Sequence, residues 1–483
     1  MHLPRGCVVL IAPLNTGSLG QHALRVTVPT YDRTALTPSV VHISVGSFHR
    51  SHQALYFDEL AERRITTAWG LVGVGLHRPE MREALTPQDG LYTVVTRGGA
   101  SDQARVVGVI RRYLFAPEES GGVVATLADA RTRLVTLTIT AHGYAGEDPE
   151  ALVLLVEALA RRRRDGLPPF TVLSCDNLPD NGALAREAVL ACARKRDEGL
   201  ADWIATEGAF PSSVVDRITP KTTPADRERL AQQFGVDDRW PVMTEPFSQW
   251  VIEDEFADGR PPLDQVGVRF VRDARPYALI KTRLLNGSHC ALGPLGFLAG
   301  HRTASEALAD PLFRAYLERL MADEVQPLLP LVDGINPATY RNTLLARLAN
   351  PALADDLGRL CRNLSAKLPL HVLSSIAEAR DGGRPHPLLT FAVAGWLRYL
   401  RGADERGEGF AIEDPRAERL RALARRGGAD PRPVLAERDV FGALADDAAF
   451  ALAVERDLRS LDTHGARAAL ADRLSVHDRK VAA

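Results

Sequence analysis

Cysteine is scarce. The chain has five in 483 residues, Cys7, Cys175, Cys192, Cys290 and Cys361, and no CxxC pair. An odd, scattered set excludes a disulfide framework and suits a reducing compartment. Long apolar runs are also absent. No stretch of about 18 apolar residues occurs, so no membrane-spanning helix is expected. The short apolar patch in residues 7–14 lacks the cleavage pattern of a signal peptide. Neither sign of charge dominates: 59 Lys and Arg stand against 61 Asp and Glu, a net charge of −2. That balance gives no electrostatic reason to expect nucleic acid or an anionic membrane as partner. Internal repeats and long low-complexity segments are missing too. What remains is a soluble, cytoplasmic globular protein, 45% apolar and 25% charged, long enough for two or three domains.

What is present falls into two parts. Residues 1–38 are rich in turn formers and read as an N-terminal extension. Over 39–273, strand-like and helix-like patterns alternate. Residues 40–45 are a β-branched run ending at Gly46, which reads as a buried strand. Ser47, Phe48, His49 and Arg50 then open a helix expected to continue to about Arg64. Strand, tight glycine turn and helix form the first unit of a dinucleotide-binding fold, where the start of the helix faces a pyrophosphate. Gly46, Ser47, Phe48, His49 and Arg50 are therefore candidate cofactor-binding residues. Only one glycine of the usual three is evident, and Ser44 stands where an earlier one is expected.

Further strands are expected at 69–75, 91–96, 105–110, 134–140 and 170–175, with Gly98 and Gly99 turning the chain between the second and third of these. After the strand at 69–75, Arg78 suits the 2′-phosphate of NADP and Glu80 a ribose hydroxyl of NAD; the local residues leave both open. Asn177 follows the strand at 170–175, at the carboxyl end where open α/β sheets place their chemistry. An Asx turn or helix cap is its competing role.

Beyond residue 273 the alternation stops, and long helical patterns predict an all-α domain over 274–483. Its first helix, 277–300, contains Lys281-Thr-Arg-Leu-Leu-Asn286-Gly-Ser-His289. At about 100° per residue, Asn286 lies roughly 140° and His289 roughly 80° around the axis from Lys281. Leu279, Ile280, Leu284 and Leu285 surround this wedge. An amine, an amide and an imidazole on one apolar face equip a proton-transfer site. A snorkelling lysine beside a satisfied core histidine also fits the stretch taken alone.

Taken together, these spacings resemble the mannitol dehydrogenase family of polyol-specific long-chain dehydrogenases. The matching pieces are residues 45–56, 69–75, 136–144, 174–177, 215–220, 244–254 and 281–289, with Asn350-Pro351 and residues 359–369 in the helical half. The resemblance implies an α/β Rossmann-like cofactor domain followed by an all-α substrate domain. It implies NAD, with NADP as the alternative, no metal, and a monomer or small homo-oligomer. Lys281 would be the general base, Asn177 and Asn286 donors to the reacting oxygen, and His289 a partner of that oxygen or a neighbouring hydroxyl. Arg359 and Lys367 would grip the far end of the sugar, and Asp216 would lie near cofactor and substrate. A free lysine, with a pKa of ~10.4, is a poor base near neutrality; burial and the positive nicotinamide would bring it toward ~7–8.

Three positions depart from the family pattern: Ser44 for a glycine, Ala141 for an acid, and Ala278 for a glutamate thought to gate proton exchange with water. Arg362 adds a cation near the sugar-grip positions. The expected activity is interconversion of a polyol such as mannitol, arabitol or sorbitol with its 2-ketose. The alternative is a hexuronate reductase, in which Arg359, Arg362 and Lys367 clamp a carboxylate. A catalytically silent nucleotide-binding sensor is the remote third reading.

Overall fold

The computed structural model describes residues 10–98, 101–145 and 149–481. Cys7 and Gly99 lie outside them. The chain divides into two units, Met1–Arg275 and Pro276–Ala483.

The first unit is built on five parallel strands: β1 (Pro38–Ile43), β2 (Gly70–Gly75), β3 (Ile110–Phe115), β4 (Leu134–Leu137) and β5 (Thr171–Ser174). Their order is β3-β2-β1-β4-β5. This is the doubly wound Rossmann arrangement, with its switch point between β1 and β4. Strands covered on both faces must be apolar almost throughout, and Val40, Val41, Ile43, Val72, Val74, Val135 and Leu137 are all buried. One face is covered by helices that include Glu150–Arg164 and Asn181–Arg196. The other meets the helix Gln53–Glu62 and the side chain of Trp250.

The third strand of this sheet differs from the expected 105–110. Residues Gln103–Val107 instead pair antiparallel with Tyr92–Thr96, in a separate three-stranded sheet with Val242–Thr244. The parallel strand begins at Ile110, where Arg111 and Arg112 interrupt the apolar pattern. Residues 10–38 are integrated into this unit rather than appended to it. Ala12–Pro13 pair with Val236–Asp237, Leu14 and Val26 are buried, and the Arg33 guanidinium donates to the carbonyls of Gly108 and Ile110.

The second unit is helical. Its centre is the helix Gly287–Leu298, which packs on Pro387–Tyr399; the long C-terminal helix Ala448–Val481 packs on the latter in turn. The first of these crossings needs glycine, because a Cβ on Gly395 would fall 2.6 Å from the Leu295 side chain. Toward the C-terminus the short helices Arg432–Leu435 and Arg438–Phe441 precede Ala448–Val481, which turns sharply at Gly465, φ 77°. Among the described residues no helix is long and apolar enough to cross a membrane.

Trp250 is 1% exposed and meets His52 and Phe57 edge-on, at ring separations of 5.7 and 6.2 Å. A Trp250→Ala variant is expected to lose ~3–5 kcal/mol of unfolding free energy. A urea titration giving a loss below about 1 kcal/mol would contradict this packing.

Candidate active site

In the first unit the candidate residues follow the carboxyl ends of β1, β2 and β5, with Asp216 at the end of a strand in another sheet. Just past β1, Ser44 adopts the left-handed conformation, φ 73°, that a glycine would take without strain. Its N–H donates to the Val74 carbonyl at 2.8 Å, and its own carbonyl accepts from the Thr138 hydroxyl at 2.9 Å. Ser44 thus joins the ends of β1, β2 and β4 at the switch point. A Cβ on Gly46 would meet nothing nearer than the Ser44 carbonyl at 4.0 Å. The chain leaves that space clear, which fits a dinucleotide approaching the backbone. Ser44, Gly46, Ser47 and Phe48 are all partly open to it.

The expected helix from Ser47 to Arg64 is interrupted. Ser47–Ser51 and Gln53–Glu62 are separated by His52, whose φ −125° and ψ −88° are not helical. This break turns His49 and Arg50 inward, and both are 0% exposed. His49 stacks on His42, with ring centroids 3.4 Å apart, and the Thr136 and Thr138 hydroxyls bond both ring nitrogens of His42. Burial pushes His42 down to about 3. Arg50 donates to the Trp240 carbonyl, while its own carbonyl accepts from the Tyr92 hydroxyl at 2.8 Å. Sealed from solvent, the side chains of His49 and Arg50 brace the turn from inside. Arg78 is exposed just beyond β2.

Past β5, Asn177 is exposed and its neighbour Asp176 is buried. Asp176 accepts from the Ile139 and Thr140 amides and from the Tyr144 hydroxyl, at 3.2, 2.7 and 2.8 Å. Burial raises its pKa, against the pull of those hydrogen bonds. Asp176 fixes the loop that carries Asn177, a role the sequence reading missed because nothing local distinguishes it from a surface acid. Asp216 is buried at the end of Ser213–Asp216, paired in register with Gln249.

In the second unit Lys281, 7% exposed, ends the helix Arg275–Lys281. The chain then enters a π turn, Thr282–Asn286, before the helix resumes at Gly287. The Gly287 N–H reaches back to the Thr282 carbonyl, five residues away. One extra residue in the turn changes the angles expected from an uninterrupted helix. A π turn takes more residues than a regular one, so Asn286 stands nearer the Lys281 face than an uninterrupted helix would place it. Nδ2 of Asn286 and Nε2 of His289 are sealed from solvent and have no hydrogen-bond partner. Leaving such atoms unsatisfied costs ~1–3 kcal/mol each, and a polar ligand would remove that cost. Burial, then the charges of Arg359, Lys367, Arg347 and His371, hold the His289 pKa well below the usual imidazole range.

The proposed sugar-grip cations differ from one another. Arg359 makes two bonds of 2.7 Å to buried Asp355. Arg362 is exposed and pairs with Glu413 at 2.6 Å. Lys367 has no carboxylate partner among the described residues, and burial lowers its pKa, with Cys290 acting in the opposite sense. Arg283, inside the π turn, donates to the Leu328 carbonyl at 3.0 Å and to Glu378 at 2.5 Å, tying the turn to two other segments.

Residues 38–265 match the mannitol dehydrogenase Rossmann domain, and residues 273–462 the mannitol dehydrogenase C-terminal domain. The chain is 44% identical to mannitol 2-dehydrogenase of Phaeosphaeria nodorum, over 97% of its own length and 87% of that protein. It is 43% identical to that of Emericella nidulans, over 94% and 96%. Among solved structures it resembles Pseudomonas fluorescens mannitol 2-dehydrogenase in ternary complex with NAD and D-mannitol, with TM-score 0.88 and 38% identity over 96% of this chain and 100% of that one. A substrate-free D-sorbitol dehydrogenase matches with TM-score 0.87 and 32% identity, over 95% and 100%.

Two outcomes follow from the geometry. Ser44→Gly relieves the left-handed strain and should stabilise the fold by up to ~1 kcal/mol, while β-branched Ser44→Val should cost ~1–2 kcal/mol; unfolding midpoints in urea read both. The second concerns acid. Burial and the charges of Lys281 and Lys367 push His371 down to about 4 from the ordinary 6.5. Below pH 6.5 the unfolded imidazole binds a proton that the folded one refuses, so stability falls with pH until about 4. Replacing His371 with Asn should remove up to about 3 kcal/mol of that acid loss, and leave stability above pH 7 nearly flat by comparison. Unfolding free energies between pH 4 and 8 check it.

Proposed function

The chain belongs to the mannitol dehydrogenase family, and from that membership we propose that it is an NAD-dependent oxidoreductase interconverting a polyol and its 2-ketose, of the mannitol-to-fructose type. The observation that carries this reading is the π turn between Lys281 and Asn286, with the sealed nitrogens of Asn286 and His289 lacking any partner among the described residues. We assign residues 39–273 to cofactor binding and 274–483 to substrate binding. NAD, when bound, supplies the hydride acceptor, and the open space beside Gly46, with Ser47 and Phe48, is the assigned place for its phosphates.

In this reading Lys281 takes the hydroxyl proton of the secondary alcohol. Asn286 donates to the oxygen as it gains negative character, and Asn177 keeps the second donor role implied by the family resemblance. His289 bonds that oxygen or the next hydroxyl. Each oriented donor of this kind is worth about 3 kcal/mol. No metal is needed in the scheme, since the amine accepts the proton and the amides hold the oxygen. Lys367 binds a distal hydroxyl, with Arg359 beside it. The ion pairs of Arg359 with Asp355 and of Arg362 with Glu413 favour a neutral polyol over a hexuronate, because both guanidinium charges are already met.

Rates with NAD on mannitol, arabitol, sorbitol and mannonate test the reading. Turnover of at least one polyol is expected; turnover of mannonate alone, or of none, overturns it. Lys281→Ala should lower kcat/KM by about 10²–10⁴. Asn286→Ala should lower kcat by about 10²–10³ with KM little changed.

A further inference from the structure

We propose that His371 is the relay that carries the proton of Lys281 to water. The inference rests on the functional reading above and extends it. An amine that takes a proton in every turnover must lose it before the next, and Lys281 is almost wholly buried. Three features point to His371. First, the second unit contains another π turn, Pro369–Leu373, in which the Ser374 N–H reaches back to the Pro369 carbonyl. The two π turns pack against each other. Segments of this kind interrupt a regular helix and recur at functional sites. His371 is the middle residue of the second.

Second, the approach is close because of a glycine. A Cβ on Gly287, the first residue after the Lys281 turn, would lie 3.1 Å from the His371 carbonyl. A side chain there would crowd that carbonyl, which would have to yield by a few tenths of an ångström. Third, the imidazole has an inner and an outer end. His371 is 8% exposed, its Nδ1 is sealed and has no hydrogen-bond partner, and Nε2 is not sealed. A buried nitrogen with no partner is costly unless it has work to do.

The charged groups that face His371 are Lys281, at the end of Arg275–Lys281 just before the opposing π turn, Lys367, from Leu364–Leu368, and His289, from Gly287–Leu298. No carboxylate acts on it among the described residues. Lys367 is a cation with no lone pair to offer, and His289 is committed to substrate oxygen. His371 is thus a neutral base on the turn that packs against the one following Lys281. Its two lysine neighbours and its burial keep it neutral at working pH, which is the form a tautomeric relay requires. In the oxidation direction the Lys281 ammonium gives a proton to the sealed nitrogen, while the opposite nitrogen gives its proton to water. The amine returns to its neutral form and the ring ends in its other tautomer, so one proton leaves the site and no charge accumulates on the imidazole. In the reduction direction the steps reverse.

Three measurements test this, with unchanged melting temperature as the control for folding. His371→Asn keeps a polar group of similar reach but cannot relay. Its kcat for polyol oxidation should fall by about a hundredfold while KM moves by less than about threefold, with a larger solvent isotope effect on kcat. In His371→Ala, added imidazole should restore kcat in proportion to its concentration. Wild-type kcat in His371→Asn, or a loss in His371→Ala that imidazole does not move, overturns the relay. The third readout does not depend on turnover. The chain has only five lysines, Lys195, Lys221, Lys281, Lys367 and Lys480, so the Lys281 side-chain signal in ¹⁵N-lysine-labelled protein can be assigned by its loss in Lys281→Arg. Exchange of its amine protons with water should be slower in His371→Asn than in wild type, and equal exchange overturns the relay. If the wild type oxidises no polyol, the functional reading fails on that result, while the exchange rates still decide whether His371 serves Lys281.

Discussion

One extra residue in one helical turn is the constraint on which the helical unit depends. A regular helix would rotate Asn286 well away from Lys281 and satisfy its own backbone ladder. The π turn at Thr282–Asn286 gives up that regularity and swings Asn286 toward the Lys281 face. Such a turn persists only when its surroundings hold it. Here Arg283 anchors it to the Leu328 carbonyl and Glu378, and Gly287 lets the Pro369–Leu373 turn close against it. The unsatisfied nitrogens of Asn286 and His289 then belong to the same design. They carry a folding penalty that a bound oxygen would remove, so a structure that keeps them is adapted to a ligand rather than to stability alone.

The Rossmann unit meets a parallel problem at Ser44. The chain must leave β1 through a left-handed residue, and a serine accepts the strain that glycine would avoid. The hydrogen bond from Thr138 to its carbonyl, and its own to Val74, hold it there. Beneath it, the stacked pair of His42 and His49 and the sealed Arg50 form a rigid floor. Polar side chains so deeply buried specify the shape of the turn more than they stabilise the fold. The other side of the same turn, at Gly46, Ser47 and Phe48, stays partly open.

The architecture was legible in the sequence because it rests on periodicity. Buried parallel strands read as β-branched runs, and the change to long helical patterns near residue 273 marks the all-α half. The third strand was misplaced because adjacent Arg111 and Arg112 break the apolar run, with one only half-buried and the other exposed at the sheet edge. The site was legible as a set of residue types and less so as geometry. A π turn has no sequence signature, so the angles between Lys281, Asn286 and His289 had to be taken from a regular helix. The inward turn of His49 and Arg50 depends on the backbone break at His52, which no glycine or proline announces. Asp176, Arg283 and His371 act through contacts distant in sequence, and their local surroundings look like those of any surface acid, helix cation or core histidine.

The charge pattern of the helical unit is the last link between structure and chemistry. Around the π turns stand Lys281, Lys367, Arg359, His289 and His371, while the nearby carboxylates are occupied: Asp355 by Arg359, Glu378 by Arg283, Glu413 by Arg362. The two imidazoles and Lys367 all hold their protons less tightly than usual, burial being the first cause in each case. A pocket that resists further positive charge is one in which an amine can accept a proton and then release it. The same pocket would welcome an oxygen that is gaining negative character. It offers less to a permanent carboxylate than a count of cations suggests, since the guanidinium charges are already balanced and a carboxylate would have to displace their partners. Burial and pairing, rather than the number of basic residues, therefore set how strongly this cluster would draw a permanent anion.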